Sequence, residues 1–545
     1  MLPDDVLLEM FDFYQRRRFY RGSHEWQRLV RVCRRWRHII FASPLRLDLT
    51  LLCTYGTPVR KNLGCWPPLP IFVDYVTWNG TGRAPNYEVD VTAALEHRDR
   101  LRSIKLALTS SVLEVVTSVM QEPFLVLTEL WLSSKDRNAP VLLDTFLGGS
   151  APSLQCIYLW GISFPSLPTL LLSTSDLFYL RLEDIPQSGY ISPEEMVRGL
   201  AALTRLESLW IWFKSPSPYL EPLYLPFFTR SVLPSLISFN FRGSSGYLEH
   251  LLARINTPRL HFFEISYFNQ LDFWVPQLSQ FIGRTESLEL AQSRYAHVRF
   301  QIDTICVELN CEEEGHRLCR LILRISCKWL DWQVPCLAQI LGQSPTMVSS
   351  VNHLSIDRIN PGRQEIEGMD DIDWLELLRP FTAVKTLHGS QQLAGHIALA
   401  LDGLNGEIVT EELPVLDTLS LEDQSVRSVE QFITVRRLSG HPITFADPGR
   451  CEFYVLRGLL LYCITSDSPA AGRRRPCRRI RCSYIRTLGC SQLLYAPAWD
   501  TIFPVLPAIL WSSVPSQCMA YHVQCQLGAC HIPGRPIPDL SAPRP

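Results

Sequence analysis

The 545-residue sequence lacks the short motifs that identify several large classes of enzyme. It contains no Gly-x-Ser-x-Gly elbow, no Gly-x-x-x-x-Gly-Lys phosphate loop, no His-Glu-x-x-His and no Gly-x-Gly-x-x-Gly. Nothing therefore points to a serine hydrolase, a nucleotide-binding enzyme or a zinc protease. We expect a non-catalytic protein with no catalytic residue, no cofactor and no metal.

Long apolar runs and a strong net charge are also missing. No apolar run reaches the roughly 18 residues that span a bilayer, and the nearest, 493–514, is interrupted by Asp500 and several prolines. The net charge of -2 gives no global basic field of the kind that nucleic-acid binders use. Asp4 and Asp5 stand where a secretory signal would be apolar. We expect a soluble cytoplasmic or nuclear protein with reduced cysteines and protein partners, and neither membrane nor nucleic acid as a partner.

The residues that are present repeat a pattern of three apolar positions, Leu-x-x-Leu-x-Leu, with other apolar residues allowed. The last positions of successive matches are Leu106, Leu132, Leu159, Leu182, Ile211, Phe241, Ile265 and a partial match at Leu290, with further matches ending at Ile356, Leu387 and Leu421. The first eight lie 23 to 30 residues apart, close to the period of leucine-rich repeats, roughly 20–29 residues. One such repeat cannot bury its apolar face alone, so stacked repeats are expected.

Helical segments are predicted between these strands, at 91–97, 193–203, 247–254, 274–282 and 394–401. An earlier strand is expected at 71–75. Three strands and a helix between 291 and 350 are interpreted as degenerate repeats. The Asn or Cys that usually follows each strand is replaced by residues such as Thr109, Gly161 and Ser244, so irregular curvature is expected. An ordinary α/β sheet is the alternative, although its crossovers are usually longer.

The first forty residues carry two apolar helical patterns. Two sets of residues recur at steps of three and four: Leu7, Met10, Phe11 and Tyr14, then Leu29, Val32, Cys33 and Trp36. Pro3, Asp4 and Asp5 suit a first helical turn. About 40 residues are too few to close a core without metal, disulfides or a partner, so a partner is expected. On an apolar helix face, Cys33 is expected to be a packed small hydrophobe.

These residues resemble the F-box, the helical module that docks substrate receptors onto the Skp-type adaptor of cullin-based ubiquitin ligases. The match includes Asp5, Met10, Arg34, Arg37 and Ile40. The resemblance implies an adaptor-binding and core set that consists of Leu2, Pro3, Val6, Leu7, Leu8, Phe11, Leu29, Val32, Cys33 and Trp36. The connector at 15–24 departs from the family pattern because it is long and Arg-rich. From the residues alone, a helix pair of another domain remains an alternative.

The order of the two parts resembles basidiomycete fungal families of F-box receptors. The implied fold is an α/β repeat: an N-terminal α-helical F-box followed by an irregular leucine-rich-repeat solenoid. The expected divisions are an F-box at 1–45, a linker with a first strand–helix unit at 46–100, degenerate leucine-rich repeats at 101–450 and a tail at 451–545. The resemblance covers about residues 2–450.

The composition of the tail differs from that of the rest of the chain. It has no Lys or Glu after Leu459 and is rich in Arg and Cys. Three interpretations remain: a poorly ordered segment, which a misread exon could also produce; a basic nucleic-acid or nuclear-import patch at Arg473 to Arg481; or a zinc site. The absence of Cys-x-x-Cys pairs disfavours zinc.

The expected function is substrate recognition in an SCF-type ubiquitin ligase, with the F-box on the Skp-type adaptor and through it a cullin, and the repeats on an unidentified target protein. A non-degradative leucine-rich-repeat scaffold and a nucleic-acid-associated protein acting through the tail are the alternatives. Trp210, Trp212 and Phe213 alternate along a predicted strand, so at least one ring faces outward, either as a contact anchor or as core under a helix.

Overall fold

The computed structural model divides the chain into two units, Met1–Val455 and Leu456–Pro545. The residues it describes are 2–16, 25–44, 46–54, 59–76, 87–134, 136, 140–216, 230–270, 272–288, 290, 293–313, 316–327, 330–358, 371–402, 413–421 and 429–445. The second unit, with the Arg and Cys cluster of the tail, lies outside the described residues. So does most of the Arg-rich connector.

Strands occupy short stretches along the first unit. In chain order they are β1 (Leu51–Thr54), β2 (Ile71–Tyr75), β3 (Leu101–Leu108), β4 (Glu129–Ser134), β5 (Cys156–Trp160), β6 (Tyr179–Ile185), β7 (Ser208–Phe213), β8 (Ser231–Val232), β9 (Ser238–Gly243), β10 (Ile255–Asn256), β11 (Phe262–Tyr267), β12 (Tyr295–Phe300), β13 (Thr304–Glu313), β14 (His316–Ser326), β15 (His353–Arg358), β16 (Thr386–Gly389), β17 (Thr418–Leu421) and β18 (Thr444–Phe445). The strand predicted at 71–75 is present, and β1 precedes it as a strand that the sequence reasoning missed.

Helices alternate with most of these strands. They are α1 (Asp4–Arg16), α2 (Glu25–Leu29), α3 (Arg34–Ala42), α4 (Val59–Cys65), α5 (Tyr87–Leu95), α6 (Ser110–Val119), α7 (Leu167–Leu171), α8 (Pro193–Leu200), α9 (Ser245–Arg254), α10 (Pro276–Arg284), α11 (Leu330–Gln343), α12 (Asp371–Leu378), α13 (Gln391–Asp402) and α14 (Glu430–Leu438). Short 3-10 turns complete several connections. The partial repeat predicted at Leu288 and Leu290 is wrong, because Glu286–Leu288 is such a turn and no described strand contains it.

The strands β1 to β7, β9 and β11 form one parallel sheet in chain order. Because each connection advances in the same direction and parallel crossovers are right-handed, the helices fall on one face of the sheet. Consecutive helices, such as α7 with α8 and α8 with α9, pack side by side. Sequential parallel strands at this spacing, each with a covering segment, form a leucine-rich-repeat type of α/β solenoid.

The core lies between the sheet and these helices. Two in-register rows of buried apolar side chains run across the strands: Ile104, Leu130, Ile157, Leu180, Leu209, Phe239 and Phe263, and Leu106, Leu132, Leu159, Leu182, Ile211, Phe241 and Ile265. They are the second and third apolar positions of the predicted motif. The residue between them points to the opposite face, which we call the helix-free face.

Backbone hydrogen bonds join each repeat to the next. The carbonyl of Thr128 accepts from the successive amides of Gln155 and Cys156, at 2.9 and 3.1 Å, and the carbonyl of Gln155 accepts from Phe178 and Tyr179. The carbonyls of Phe178, Glu207, Ile237, Arg294, Asn352 and Lys385 repeat this arrangement. These bonds satisfy backbone groups at the start of each strand and hold successive repeats in register.

The prediction of degenerate repeats across 291–350 is wrong in topology, although its three strands and its helix are present. The sheet order there is β11-β14-β13-β12-β15, and β13 runs antiparallel to both of its neighbours. Only three residues separate β12 from β13. Such a link allows a hairpin but is too short for a parallel crossover, which takes a dozen or more residues. An antiparallel meander therefore interrupts the solenoid.

Candidate functional site

The N-terminal helices α1, α2 and α3 pack onto the first strand–helix units of the solenoid. The indole Nε1 of Trp26 donates to the carbonyl of Thr50 at 2.9 Å, and its ring lies 5.1 Å from the ring of Trp66. Phe11 and Trp36 join α1 to α3 with ring centroids 4.8 Å apart. Buried side chains of the helices and of the repeats form one continuous cluster. The small core of this segment is therefore closed in part by the repeats.

The second apolar pattern is broken between α2 and α3, so it is not one helix. Cys33 is exposed and caps α3, with its Sγ accepting from the Trp36 amide at 3.4 Å. The expectation that Cys33 is a packed hydrophobe is wrong, since a residue just before a helix satisfies a free amide instead of filling the core. Arg35 links the helices by donating to Asp4 Oδ1 and to the carbonyl of Leu2, both at 2.6 Å.

The predicted N-terminal set divides into an inner and an outer group. Leu7, Leu8 and Phe11 are buried, and Leu29 and Trp36 are half-buried. Leu2, Pro3, Val6, Val32 and Cys33 are exposed. The set is therefore not one core, because half of it faces solvent.

Helix α1 carries apolar residues on a second, exposed side. Val6, Met10 and Phe13 follow one another at steps of four and three, and Leu2, which precedes the helix, is also exposed. Met10 and Phe13 are 51% and 59% exposed. We call Leu2, Val6, Met10 and Phe13 the outer stripe. The sequence reasoning did not include Phe13, although its spacing from Met10 and Val6 gives the signal.

The helix-free face carries an aromatic row across β4 to β7. Trp131, Tyr158, Arg181 and Trp210 are paired in register, each between two inward apolar residues. The rings of Trp131 and Tyr158 are 4.6 Å apart, and the guanidinium of Arg181 lies 5.2 Å from the Tyr158 ring and 4.2 Å from the Trp210 ring. With Trp160 and Trp212, these residues form what we call the aromatic patch.

Both tryptophans of β7 point outward from the core. Trp210 and Trp212 are half-buried on the helix-free face, with ring centroids 5.3 Å apart, whereas Phe213 is buried. The contributions of Trp131, Tyr158 and Arg181 were not predicted. In the sequence, these residues can be recognised because each lies between the second and third apolar residues of its repeat.

An ion pair lies within the aromatic patch. Arg181 Nη2 is 2.6 Å from Glu183 Oε1, and both residues are only 5% exposed. The Tyr158 hydroxyl donates to the other oxygen of Glu183 at 2.7 Å. Burial and the Glu183 carboxylate raise the pKa of Tyr158. The phenol therefore remains a neutral donor that holds its ring in place.

A second polar group lies on the helix-free face around β12 and β15. His297 contacts Asp357, and Ser355 Oγ donates to the same carboxylate at 3.3 Å. Burial alone would raise the pKa of Asp357, but the hydrogen bond and charge of His297 hold it below its usual value. On the next strands of this face, His388 is paired in register with Ser355, and its Nδ1 lies 3.3 Å from Ser420 Oγ.

Two further searches cover only the part of the chain that the structure describes. Within it, no group of three or more His, Cys, Asp or Glu side chains is arranged to hold a metal ion. None of the helices described is long and apolar enough to cross a membrane.

Comparisons with known proteins give similarities to solved structures alone. No protein-family model matches the chain, and no curated protein matches it. Among solved structures, it is similar to the leucine-rich repeat-containing protein LegL7 from Legionella pneumophila, at 13% identity, over 73% of this chain and 99% of that chain, with a TM-score of 0.24.

Proposed function

We propose that the protein is a non-catalytic substrate receptor of an SCF-type ubiquitin ligase, similar to the fungal F-box receptors. The N-terminal helices dock as an F-box onto a Skp-type adaptor, and through it onto a cullin. The repeats hold a target protein. Since this machinery works in the cytoplasm and nucleus, the receptor is placed there.

The outer stripe is the observation that carries this proposal. A helix at the surface of a domain needs one apolar side, which on α1 is supplied by Leu7, Leu8 and Phe11. The outer stripe is a second set of apolar side chains, on α1 and just before it, that lies outside the buried cluster. Burying each large apolar side chain of this kind contributes roughly 1.5–3 kcal/mol, which favours a protein partner.

The receptor contributes by holding two proteins close together. Anchoring the target and the charged conjugating enzyme on one frame raises the effective concentration of a target lysine near the reactive thioester. No side chain of the receptor needs to form a bond. This role is compatible with a solenoid whose sheet has one broad face that none of the described helices covers.

Capture of a purified Skp-type adaptor by the full chain tests the proposal. The variant Val6→Glu with Met10→Glu places charges on exposed positions, so the fold is retained while adaptor affinity falls at least about 100-fold. The matched control is Val115→Glu with Val119→Glu, which changes two exposed residues of α6 and leaves capture intact. Equal capture by both variants would exclude the outer stripe as the docking surface.

A related function is a scaffold that binds the adaptor without delivering a target for ubiquitylation. The broad helix-free face would serve either role. Recovery of a cullin together with the adaptor and the full chain supports the ligase receptor, whereas a complex of chain and adaptor that excludes the cullin supports the scaffold.

A further inference from the structure

Arg181 and Glu183 are buried on a face of the sheet that no described helix covers. The rings of Tyr158 and Trp210 cover the guanidinium from two sides. Removing an ion pair from water is unfavourable, and the attraction between its members compensates only in good geometry. The core does not require this arrangement, since the leucine rows pack against the helices on the other face. Its evident effect is to fix the aromatic rings.

The fixed rings resemble the anchors of protein interfaces. Trp, Tyr and Arg are enriched among the residues that dominate binding free energy, and rings held in place lose little conformational entropy when a partner binds. Their faces also attract cations. Arg181 demonstrates this within the molecule, because its guanidinium already lies against two rings.

The charges around the patch leave one carboxylate without a cation. Glu183 pairs with Arg181, and Glu129 lies 3.3 Å from Lys105. Asp184 accepts a hydrogen bond from Trp160 Nε1 at 2.9 Å, and the described residues place no Lys or Arg within ion-pair distance of it. Trp160 is 38% exposed. An aromatic ring and an unneutralised carboxylate therefore lie together at the surface.

The backbone of β6 produces this juxtaposition. Its pairing with β7 shifts register between Leu182 and Ile185, and Asp184 has a left-handed conformation with φ of 49°. Such a bulge redirects side chains relative to a regular strand. Glu183 and Asp184 consequently both contact the patch, whereas in a regular strand successive side chains would point to opposite faces.

We propose that the aromatic patch binds a basic, extended segment of the target protein, with an arginine or lysine side chain seated against Trp160 and Asp184. This inference rests on the proposed function for the existence of a target, and it adds the surface and the chemistry of recognition. The charge of Asp184 and the ring faces both favour a cation, whereas Glu129 and Glu183 are already paired with Lys105 and Arg181. Arg242 is paired in register with Trp212, which is two strands away from Trp160 in the sheet.

The test uses the full chain and two labelled synthetic peptides of 12 residues, built from Gly and Ser with two central arginines or with two citrullines. Citrulline keeps the shape of arginine without its charge. The arginine peptide is expected to bind at least fivefold more tightly in a fluorescence polarisation titration, and its affinity falls as salt is added. Equal affinities for the two peptides overturn the inference.

Two variants locate the binding site. Asp184→Asn removes the charge, keeps an acceptor for Trp160 and suits the left-handed conformation, which Asn tolerates; it lowers affinity for the arginine peptide at least fivefold. Lys214→Gln, at an exposed residue just after β7, is the control and leaves affinity equal or tighter. Unchanged binding by Asp184→Asn contradicts the inference.

Adaptor capture by the same preparations separates the two proposals. A chain that captures the adaptor but binds both peptides equally overturns the cation site alone. A chain that distinguishes the peptides but fails to capture the adaptor overturns the ligase function alone.

Discussion

At the residue scale, Glu249 is a buried carboxylate that stabilises the start of a helix. It lies on α9, and its two oxygens accept from the amides of Gln277 and Leu278 at 2.6 and 2.8 Å, in the first turn of α10. These amides have no partner within their own helix, so Glu249 acts as a cap supplied by the preceding repeat. Sequence reasoning placed the helix correctly but gave no sign of this contact, which joins residues 28 and 29 positions apart.

The pKa of Glu249 makes stability depend on pH. Burial raises it from 4.5 to about 7, against the two backbone hydrogen bonds that lower it. The pKa of Glu249 is higher in the folded chain than in the unfolded chain, so its protonated form stabilises the fold. This stabilisation is complete below about pH 4.5 and is lost as pH rises through 7. The free energy of unfolding should fall by roughly 3 kcal/mol across this window from this group.

Urea unfolding at several pH values checks that prediction. Glu249→Gln removes the titration, so the decline between pH 4.5 and 7 becomes shallower than in the wild-type chain, although one amide loses its acceptor. Glu207→Gln, at an exposed glutamate, is the control. An identical decline in the wild-type chain and in Glu249→Gln would show that Glu249 does not titrate in this range.

At the scale of elements, side-chain hydroxyls add to the backbone contacts between repeats. A serine before the first apolar position of three repeats, and a fourth serine in the 3-10 turn Glu286–Leu288, donate to carbonyls of earlier units. The observed pairs are Ser153 with Leu125, Ser235 with Thr204, Ser287 with Leu260 and Ser350 with Leu290, at 2.6 to 2.8 Å. Each bond joins units that are distant in sequence, so the serines reinforce stacking.

The loss in the free energy of unfolding when a hydroxyl is removed should increase with the burial of its hydrogen bond. Ser287→Ala leaves a half-buried carbonyl without its side-chain donor and is expected to lower the free energy of unfolding by about 1 kcal/mol. Ser153→Ala affects an exposed pair and should lower it by less than about 0.5 kcal/mol. Denaturant melts of the two single variants provide the comparison, and a larger loss for Ser153→Ala than for Ser287→Ala would refute the proposed role of burial.

The meander shows which elements the sequence could determine. Its strands were predicted from their apolar pattern, but their direction was not, because alternation is the same in parallel and antiparallel strands. The link of three residues between Phe300 and Thr304 determines the direction, because it is too short for a parallel crossover. Likewise, the apolar spacing around Cys33 fits a helix, yet the turn between α2 and α3 places that residue at a cap.

At the scale of the whole molecule, the repeat period predicted the parallel solenoid because the period follows from stacking itself. The aromatic patch was only partly predictable, from Trp210 and Trp212, since its other members come from three different strands that the sheet register brings together. The division of the N-terminal residues into buried and exposed groups also required the structure. Helical spacing identifies both sides of α1 but does not show which side the repeats cover.

Hydrogen–deuterium exchange of the full chain, with and without a purified Skp-type adaptor, shows whether the N-terminal helices form the docking surface. Adaptor binding should slow exchange in α1 and in the turn at 30–33 and leave exchange in α6 unchanged. Unchanged exchange in α1 at saturating adaptor, or protection confined to β4 to β7, would contradict this prediction.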